Sequence, residues 1–299
     1  MKSLVTGGAG FIGSHLVERL ISMGHKVVVL DNLSTGKRKN LFNVKKNIFF
    51  KKVDLSKKNN IEKYFKNVDW VFHLAGSSSI AQSLKFPMKY YENNVQSTIN
   101  ILNATKKKNI KKILFFSTAA LYGDPEKLPI KENSKIKISN NYSLSKKMSE
   151  EILEHWHKVY NTKSIILRTF NVYGKRCKDD QNEGNVVGIF LKQINKNQPL
   201  TVYGNGNQTR DFIYIDDTID ALIKLAKSRI DFGIFNLGSG KKTSINKLVN
   251  IIGKKKYKLP AKSHEIKDSV ASINKIKKAV KWHPKTDIYQ GIKKTFNSL

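Results

Sequence analysis

The chain has 299 residues, with 55 lysines and arginines against 23 acidic residues, for a net charge of +32. A chain of this length forms one large domain or two modest ones and buries roughly 75% of its unfolded surface, so it needs neither disulfides nor a structural metal. Its single cysteine, Cys177, excludes an internal disulfide and a cysteine-based zinc site and fits a reducing, cytoplasmic compartment.

A charge this basic first points to nucleic acid. Of the basic residues, however, 49 are lysine and only 6 are arginine. They are scattered in short groups such as Lys106 to Lys108 and Lys254 to Lys256, not gathered into an arginine- and aromatic-bearing stripe that would read phosphates and bases. The composition predicts solvated lysine faces, no nucleic-acid partner, and a field that attracts acidic small molecules. No run approaches the roughly 18 apolar residues of a membrane span, so no membrane partner is expected. The opening MKSLVTGGAG reads as a strand running into glycines, with no signal peptide before it.

Along the chain, apolar runs at Leu4-Val5, Val27 to Leu30, Ile48 to Phe50, Trp70 to Leu74, Ile113 to Phe116 and Ile165 to Leu167 read as strands. Between them, His15 to Met23, Asn94 to Ala104 and Ser145 to Tyr160 carry helical periodicity. Short apolar strands alternating with amphipathic helices predict an α/β fold, a Rossmann-type doubly wound parallel sheet. After residue 170 the spacing turns irregular and glycine-rich, until Leu237-Gly238-Ser239-Gly240 reads as a strand end with its turn. The predicted division is a dinucleotide-binding domain over 1–170 plus about 211–240, and a smaller α/β substrate-binding region over 171–210 and 241–299. That region is expected at the carboxyl ends of the strands, where open α/β sheets bind ligands.

The first strand runs into Thr6-Gly7-Gly8-Ala9-Gly10-Phe11-Ile12-Gly13, which opens a helix. Glycines there let the backbone turn tightly and approach a pyrophosphate at the helix N-terminus. Asp31 closes the second strand 18 residues past Gly13. A carboxylate there accepts hydrogen bonds from ribose hydroxyls and repels a 2′-phosphate, which favours NAD, while Lys37 and Arg38 nearby leave NADP open. Asp54-Leu55 follows the third strand and reads either as an adenine flank or as an ordinary turn.

Tyr142 and Lys146 stand four residues apart, on one face of a helix. A free tyrosine, with pKa about 10, is too weak a base at neutral pH. A neighbouring ammonium and a nicotinamide cation both favour its phenolate. Thr118, after the fifth strand, is placed to share the same substrate hydroxyl. The seven histidines are dispersed, and His155 and His157, two apart, face opposite sides of a helix, so no metal site is expected.

The ordered motifs TGGAGFIGSHL, DNLSTG, HLAG, YYENNV, FSTAALYG, YSLSK, RTFNVYG, GNGNQTRDFIYIDD and NLGSG resemble, nearly end to end, the extended short-chain dehydrogenases/reductases of the NAD-dependent sugar epimerase/dehydratase family, and within it the UDP-hexose 4-epimerases. The resemblance implies Tyr142 as general base, Lys146 as its partner and nicotinamide-ribose ligand, and Thr118 as the third catalytic member. For NAD it implies Gly7, Gly10, Phe11, Ile12, Gly13, Asp31, Asn32, Asp54, Leu55, Ala75, Gly76 and Asn94. For a UDP-sugar it implies Asn171 and Arg210 at the diphosphate, and Asn185, Val186, Thr201 and Tyr203 around the uridine. Two departures fall near the C-terminus: Lys262 stands where the family often has a diphosphate-binding arginine, followed by Glu265, and Ser272 stands in place of an aspartate. The family's dehydratases resemble T-D-E and its UDP-glucuronate decarboxylases T-S-E where this chain has Thr118-Ala119-Ala120. Without that second acid the resemblance favours C4 epimerisation of UDP-glucose, with UDP-glucuronate 4-epimerase and another nucleotide-sugar dehydratase or reductase as alternatives. Ser269 aligns with a size gate whose small residues admit UDP-N-acetylglucosamine. A non-catalytic NAD sensor on this fold is disfavoured because Tyr142 and Lys146 are both present. The resemblance also implies a homodimer through helices like Asn94 to Ala104 and Ser145 to Tyr160.

Overall fold

The computed structural model describes residues 1–57, 60–177, 185–261 and 266–297. It divides into two compact units, one of Met1–Thr118, Ser139–Leu167 and Ile219–Ile234, the other of Ala119–Ile138, Arg168–Thr218 and Phe235–Leu299.

The main sheet is built from β1 (Lys2–Thr6), β2 (Lys26–Asp31), β3 (Ile48–Lys52), β4 (Trp70–His73), β5 (Lys112–Thr118), β6 (Ser164–Thr169) and a last strand, Phe232–Leu237. Their order is last strand, β6, β5, β4, β1, β2, β3. The chain thus starts at the centre and winds outward first to one side and then to the other, which is the doubly wound α/β fold. β1 pairs in parallel with both β2 and β4, and Thr6 lies opposite Leu30 on one side and His73 on the other. That register brings the loops after β1, β2 and β4 to one end of the sheet. All seven residues of β5 are buried, as expected of a parallel strand covered on both faces. Leu4, Leu30, Phe65, Val71, Ile101, Phe115, Leu153 and Ile166 form the core.

Three helical segments shape the ligand end. α1 (Phe11–Ser22) starts at Gly10, whose backbone is extended and offers no side-chain cap. α2 (Ile80–Lys85) and α3 (Pro87–Tyr90) lead into a π-helical turn, Tyr91–Gln96, and then α4 (Ser97–Thr105). The helix expected from Asn94 therefore begins inside a π turn. α5 (Asn141–Tyr160) starts four residues before the predicted Ser145, because the Asn140 side chain accepts a hydrogen bond from the Ser143 backbone N–H at 2.9 Å and caps it. The earlier start places Tyr142 on the helix. α5 ends at Asn161, whose φ of 50° is left-handed.

In the second unit, Asn171–Tyr173 pairs in parallel with Phe212–Tyr214, Leu200–Tyr203 pairs in parallel with Lys256–Leu259, and Thr209–Arg210 pairs antiparallel with Thr243–Ser244. Tyr122, Ile130, Phe170 and Ala271 form an apolar cluster there, and Trp282 is fully buried. Among the described residues, no helix is long and apolar enough to cross a membrane, and no group of three or more His, Cys, Asp or Glu residues is placed to hold a metal ion.

Candidate active site

The glycine loop after β1 leaves no room for a side chain at Gly7 or Gly13. A Cβ at Gly7, whose φ is +67°, would stand 2.8 Å from the Ala75 nitrogen, and one at Gly13 would stand 2.2 Å from the Gly7 oxygen. Gly10, by contrast, has only the Gly7 oxygen nearby. The loop therefore folds onto its own backbone and leaves the start of α1, with Phe11 and Ile12, uncapped by any side chain, a geometry that suits a phosphate. Asp31 is 6% exposed and accepts from the Ala9 N–H at 2.9 Å and the Leu33 N–H at 2.8 Å. Burial pushes its carboxyl up, while these two bonds pull it down. A carboxylate has about four acceptor positions, so acceptors remain for a ribose diol. These residues fit a dinucleotide. Gly13→Ala is expected to cost about 1–3 kcal/mol of NAD binding through overpacking, a loss of roughly fivefold to 150-fold, checked by calorimetric titration with NAD.

Asn32 accepts from the Ser34 N–H at 3.0 Å, in the loop after Asp31. Asp54 accepts from both the backbone and the hydroxyl of Ser56, at 3.0 and 2.7 Å, which is an Asx turn. Leu55 belongs to the core cluster.

Gly76, Asn94 and Lys146 meet. A Cβ on Gly76, at φ +154°, would stand 2.6 Å from Asn94 Oδ1 and 4.0 Å from Lys146 Nζ. Asn94 is 1% exposed; it accepts from the Ser77 N–H at 2.8 Å and donates to Ser77 O at 3.1 Å and to Ser145 Oγ at 2.8 Å. Its amide clamps the loop after β4 to the helix that carries Tyr142. A buried chain supports the clamp from below. Thr98 donates to Asn94 O at 2.7 Å, so its oxygen accepts from His73 Nε2 at 3.0 Å; His73 Nδ1 then accepts from Thr6 Oγ1 at 2.9 Å. Thr6 Oγ1 in turn accepts from the Ala75 N–H at 3.2 Å. Burial holds the His73 pKa down at about 3, so the imidazole stays neutral with its proton on Nε2.

Thr118 ends β5, and its hydroxyl is hydrogen-bonded to the Tyr142 phenol, an interaction that lowers the phenol's pKa. Burial outweighs it and pushes Tyr142 up to about 12. Lys146 is 6% exposed, with its Nζ 4.2 Å from the centre of the Phe115 ring. Burial brings its pKa down to about 7, and the carboxylate of Glu150 opposes that fall. Thr118 thus meets Tyr142, Lys146 meets Gly76 and Asn94, and α5 sets Tyr142 and Lys146 one helical turn apart. The predicted set lacked Ser145 and Glu150 of α5, because polar residues on a helix read as a solvated face.

The residues predicted for the nucleotide-sugar lie in the second unit. Asn171 is tied to Asp211, its N–H and side-chain amide donating to Asp211 O at 3.0 and 3.2 Å. Arg210 donates to Thr209 O at 2.9 Å. Asn185 caps the helix Val186–Asn195, accepting from the Gly188 N–H at 2.9 Å while donating to Val172 O at 2.7 Å. Thr201 is bonded through backbone and hydroxyl to Gln193, and Tyr203 O accepts from Gln208 at 3.0 Å. The Ser269 N–H donates to Thr209 O at 3.2 Å. Lys262 and Glu265 lie outside the described residues. Arg168, another motif arginine, turns inward: it is 3% exposed and donates to Tyr122 Oη at 3.1 Å and Glu132 O at 3.0 Å.

The family model described as NAD dependent epimerase/dehydratase family matches residues 3–238. A putative UDP-glucose 4-epimerase of Methanocaldococcus jannaschii is 39% identical, over 98% of this chain and 97% of its own. UDP-glucuronic acid decarboxylase 1 of Arabidopsis thaliana is 34% identical, over 98% of this chain and 68% of its own. The crystal structure of UDP-glucose 4-epimerase from Thermotoga maritima, with UDP-glucose, aligns with a TM-score of 0.93 at 32% identity, over 99% of this chain and 98% of that one.

Proposed function

This chain belongs to the NAD-dependent epimerase/dehydratase family, and from that premise we propose that it is a cytoplasmic enzyme that inverts C4 of a UDP-hexose through a 4-keto intermediate. The observation that carries the reading is Tyr142 hydrogen-bonded to Thr118, with Lys146 one helical turn along α5 beside Gly76 and Asn94, and Ala119 and Ala120 following Thr118 in the chain. Tyr142 takes the proton from the C4 hydroxyl and returns it after the sugar has turned over. Lys146 stabilises the phenolate, and Thr118 shares the hydroxyl's hydrogen bond. NAD, when bound, supplies the acceptor and donor for the C4 hydride and a positive nicotinamide that further favours the phenolate.

Gly7, Gly10, Phe11, Ile12, Gly13, Asp31 and Asn32 hold the dinucleotide, with Ala75, Gly76 and Asn94 at its nicotinamide half. Asn171 and Arg210 take the diphosphate, where a guanidinium fork suits paired phosphates. The uridine is held by Asn185, Val186, Thr201 and Tyr203. Elimination or decarboxylation needs a further acid or base, and the Ala pair after Thr118 supplies none. Ser269, being small, admits an N-acetylated sugar. We read the groove of about 750 Å³ lined by Met88, Tyr91, Val95 and Met148 as the seat of a second copy, because Met88 and Met148 are exposed there.

The test is incubation of the purified protein, without added NAD, with UDP-glucose, UDP-N-acetylglucosamine and UDP-glucuronate separately. Nuclear magnetic resonance should show the C4 epimer of UDP-glucose. A chain that leaves all three sugars unchanged overturns the reading.

A further inference from the structure

We propose that Glu150 is a positioning residue for the Tyr142–Lys146 pair, a buried carboxylate on the same face of α5 that favours the ammonium form of Lys146. The proposal rests on the reading of that pair as the acid–base group. Glu150 is 1% exposed, four residues after Lys146 and eight after Tyr142, a spacing that stacks the three on one helix face. Its carboxylate also accepts a hydrogen bond from the Ser117 hydroxyl. Ser117 immediately precedes Thr118 on β5, so the carboxylate is held between the strand and the helix that carry the reacting group. A carboxylate is buried at large cost unless hydrogen bonds and an opposite charge compensate it. Ser117 supplies the first, and the charge of Lys146, one helical turn back on α5, acts on it through space.

The surroundings leave Lys146 dependent on this acid. From β4, His73 faces it as a neutral ring. From β5 come Phe115, Ser117 and Thr118, and from the π turn Asn94, all uncharged. Glu92 of that turn is exposed and bridged to Lys57 at 3.3 Å. α2 carries Lys85 and α3 Lys89, both exposed; α3 also carries Tyr90 against the Tyr142 ring; α4 has no titratable side chain. Burial lowers Lys146 and Glu150 raises it. Without the carboxylate, Lys146 would lose its proton at lower pH, and a neutral amine gives Tyr142 no support as a phenolate.

Glu150→Gln keeps the shape and an acceptor for Ser117 but removes the charge, so a merely structural role predicts no change. In protein with carbon-labelled lysine, with Lys146→Arg assigning the resonance, the Lys146 titration midpoint is expected to fall by about one unit in Glu150→Gln. It should stay near the wild-type value in Glu150→Asp. Above the midpoint, kcat falls by about tenfold in Glu150→Gln with KM unchanged, since one unit is tenfold in ammonium. An unchanged midpoint in Glu150→Gln overturns the proposal. Should that variant fail to fold, the wild-type Glu150 carboxyl resonance decides, assigned with Glu150→Asp: it is expected to shift at the Lys146 midpoint, and a flat trace overturns the pairing. These titrations use no substrate. A shifted midpoint without turnover of any sugar therefore refutes the epimerase reading alone, and turnover with an unshifted midpoint refutes the pairing alone.

Discussion

Tyr142→Phe is expected to lower kcat for C4 epimerisation by about two to four orders of magnitude, the span that a positioned acid–base group contributes. The change removes one oxygen and nothing else. The ring keeps its edge-to-face contact with Tyr90, at 6.3 Å and 74°, and Asn140 still caps α5 through the Ser143 N–H, so the fold and the NAD affinity should stay within error of wild type. With Tyr142 at about 12 and Lys146 at about 7 in the protein alone, the resting group at neutral pH is a phenol beside a partly protonated amine. On the proposed mechanism the phenolate forms when further positive charge arrives, which would couple the base to the cofactor. The loss should therefore fall on kcat, with the KM for the sugar little changed, because the phenol oxygen acts on the transferring proton and not on the nucleotide. Rates from coupled or magnetic-resonance assays of wild type and Tyr142→Phe, with circular dichroism as the fold control, check it. A variant within about tenfold of wild type would remove Tyr142 from the chemistry.

Much of this site was legible because its signals are local. The strands are short apolar runs ended by turn residues, and the spacing of Gly7, Gly10 and Gly13 follows from how closely the loop folds on itself. Tyr142 and Lys146 are one helical turn apart. What was not legible depends on tertiary contacts. The π turn Tyr91–Gln96 differs from an α-helix by one residue of hydrogen-bond register and carries no residue type of its own, so the pattern at Asn94 reads as plain helix. Glu150 sits on a polar helix, and only the packing of β5 against α5 makes it buried. Structural roles of polar residues were equally hidden: Asn185, a residue type suited to ligand binding, also caps a helix, and Arg168 is turned into the second unit. Spacing gives no sign of such dual use, because a cap and a ligand contact ask for the same short amide.

Asp211 is where the second unit should be most fragile, and Asp211→Ala is expected to destabilise that unit by about 3–5 kcal/mol, the cost of breaking a buried, charge-assisted network. The side chain is fully buried. Oδ1 accepts from the Ser239 N–H at 2.6 Å and the Ser239 hydroxyl at 2.7 Å, and Oδ2 from the Gly240 N–H at 2.9 Å and the Ala271 N–H at 3.0 Å. Its own carbonyl accepts from Asn171, so one residue ties together the chain at 171, 239–240 and 271. Burial pushes its carboxyl up and the four donated bonds pull it down; every partner is a donor, which suits the ionised form. Alanine would leave three buried backbone N–H groups without an acceptor. Asparagine separates charge and acceptors from volume: it fits the space, but its NH2 must face one of the two donor pairs, so Asp211→Asn should still lose at least about 2 kcal/mol. A water admitted by the alanine variant would recover part of the loss, whereas the filled asparagine site admits none, so the two variants should lie closer than their volumes suggest. Trp282, buried in the second unit, reports the transition in urea, while Trp70 and Trp156 report the first unit. The Trp282 midpoint should fall with the others little moved, and the same variants should raise KM for the UDP-sugar, since Arg210 and Asn171 flank the lost anchor. A Trp282 midpoint unshifted in Asp211→Ala would mean that these loops are held by their apolar contacts with Ile130 and Phe170 instead.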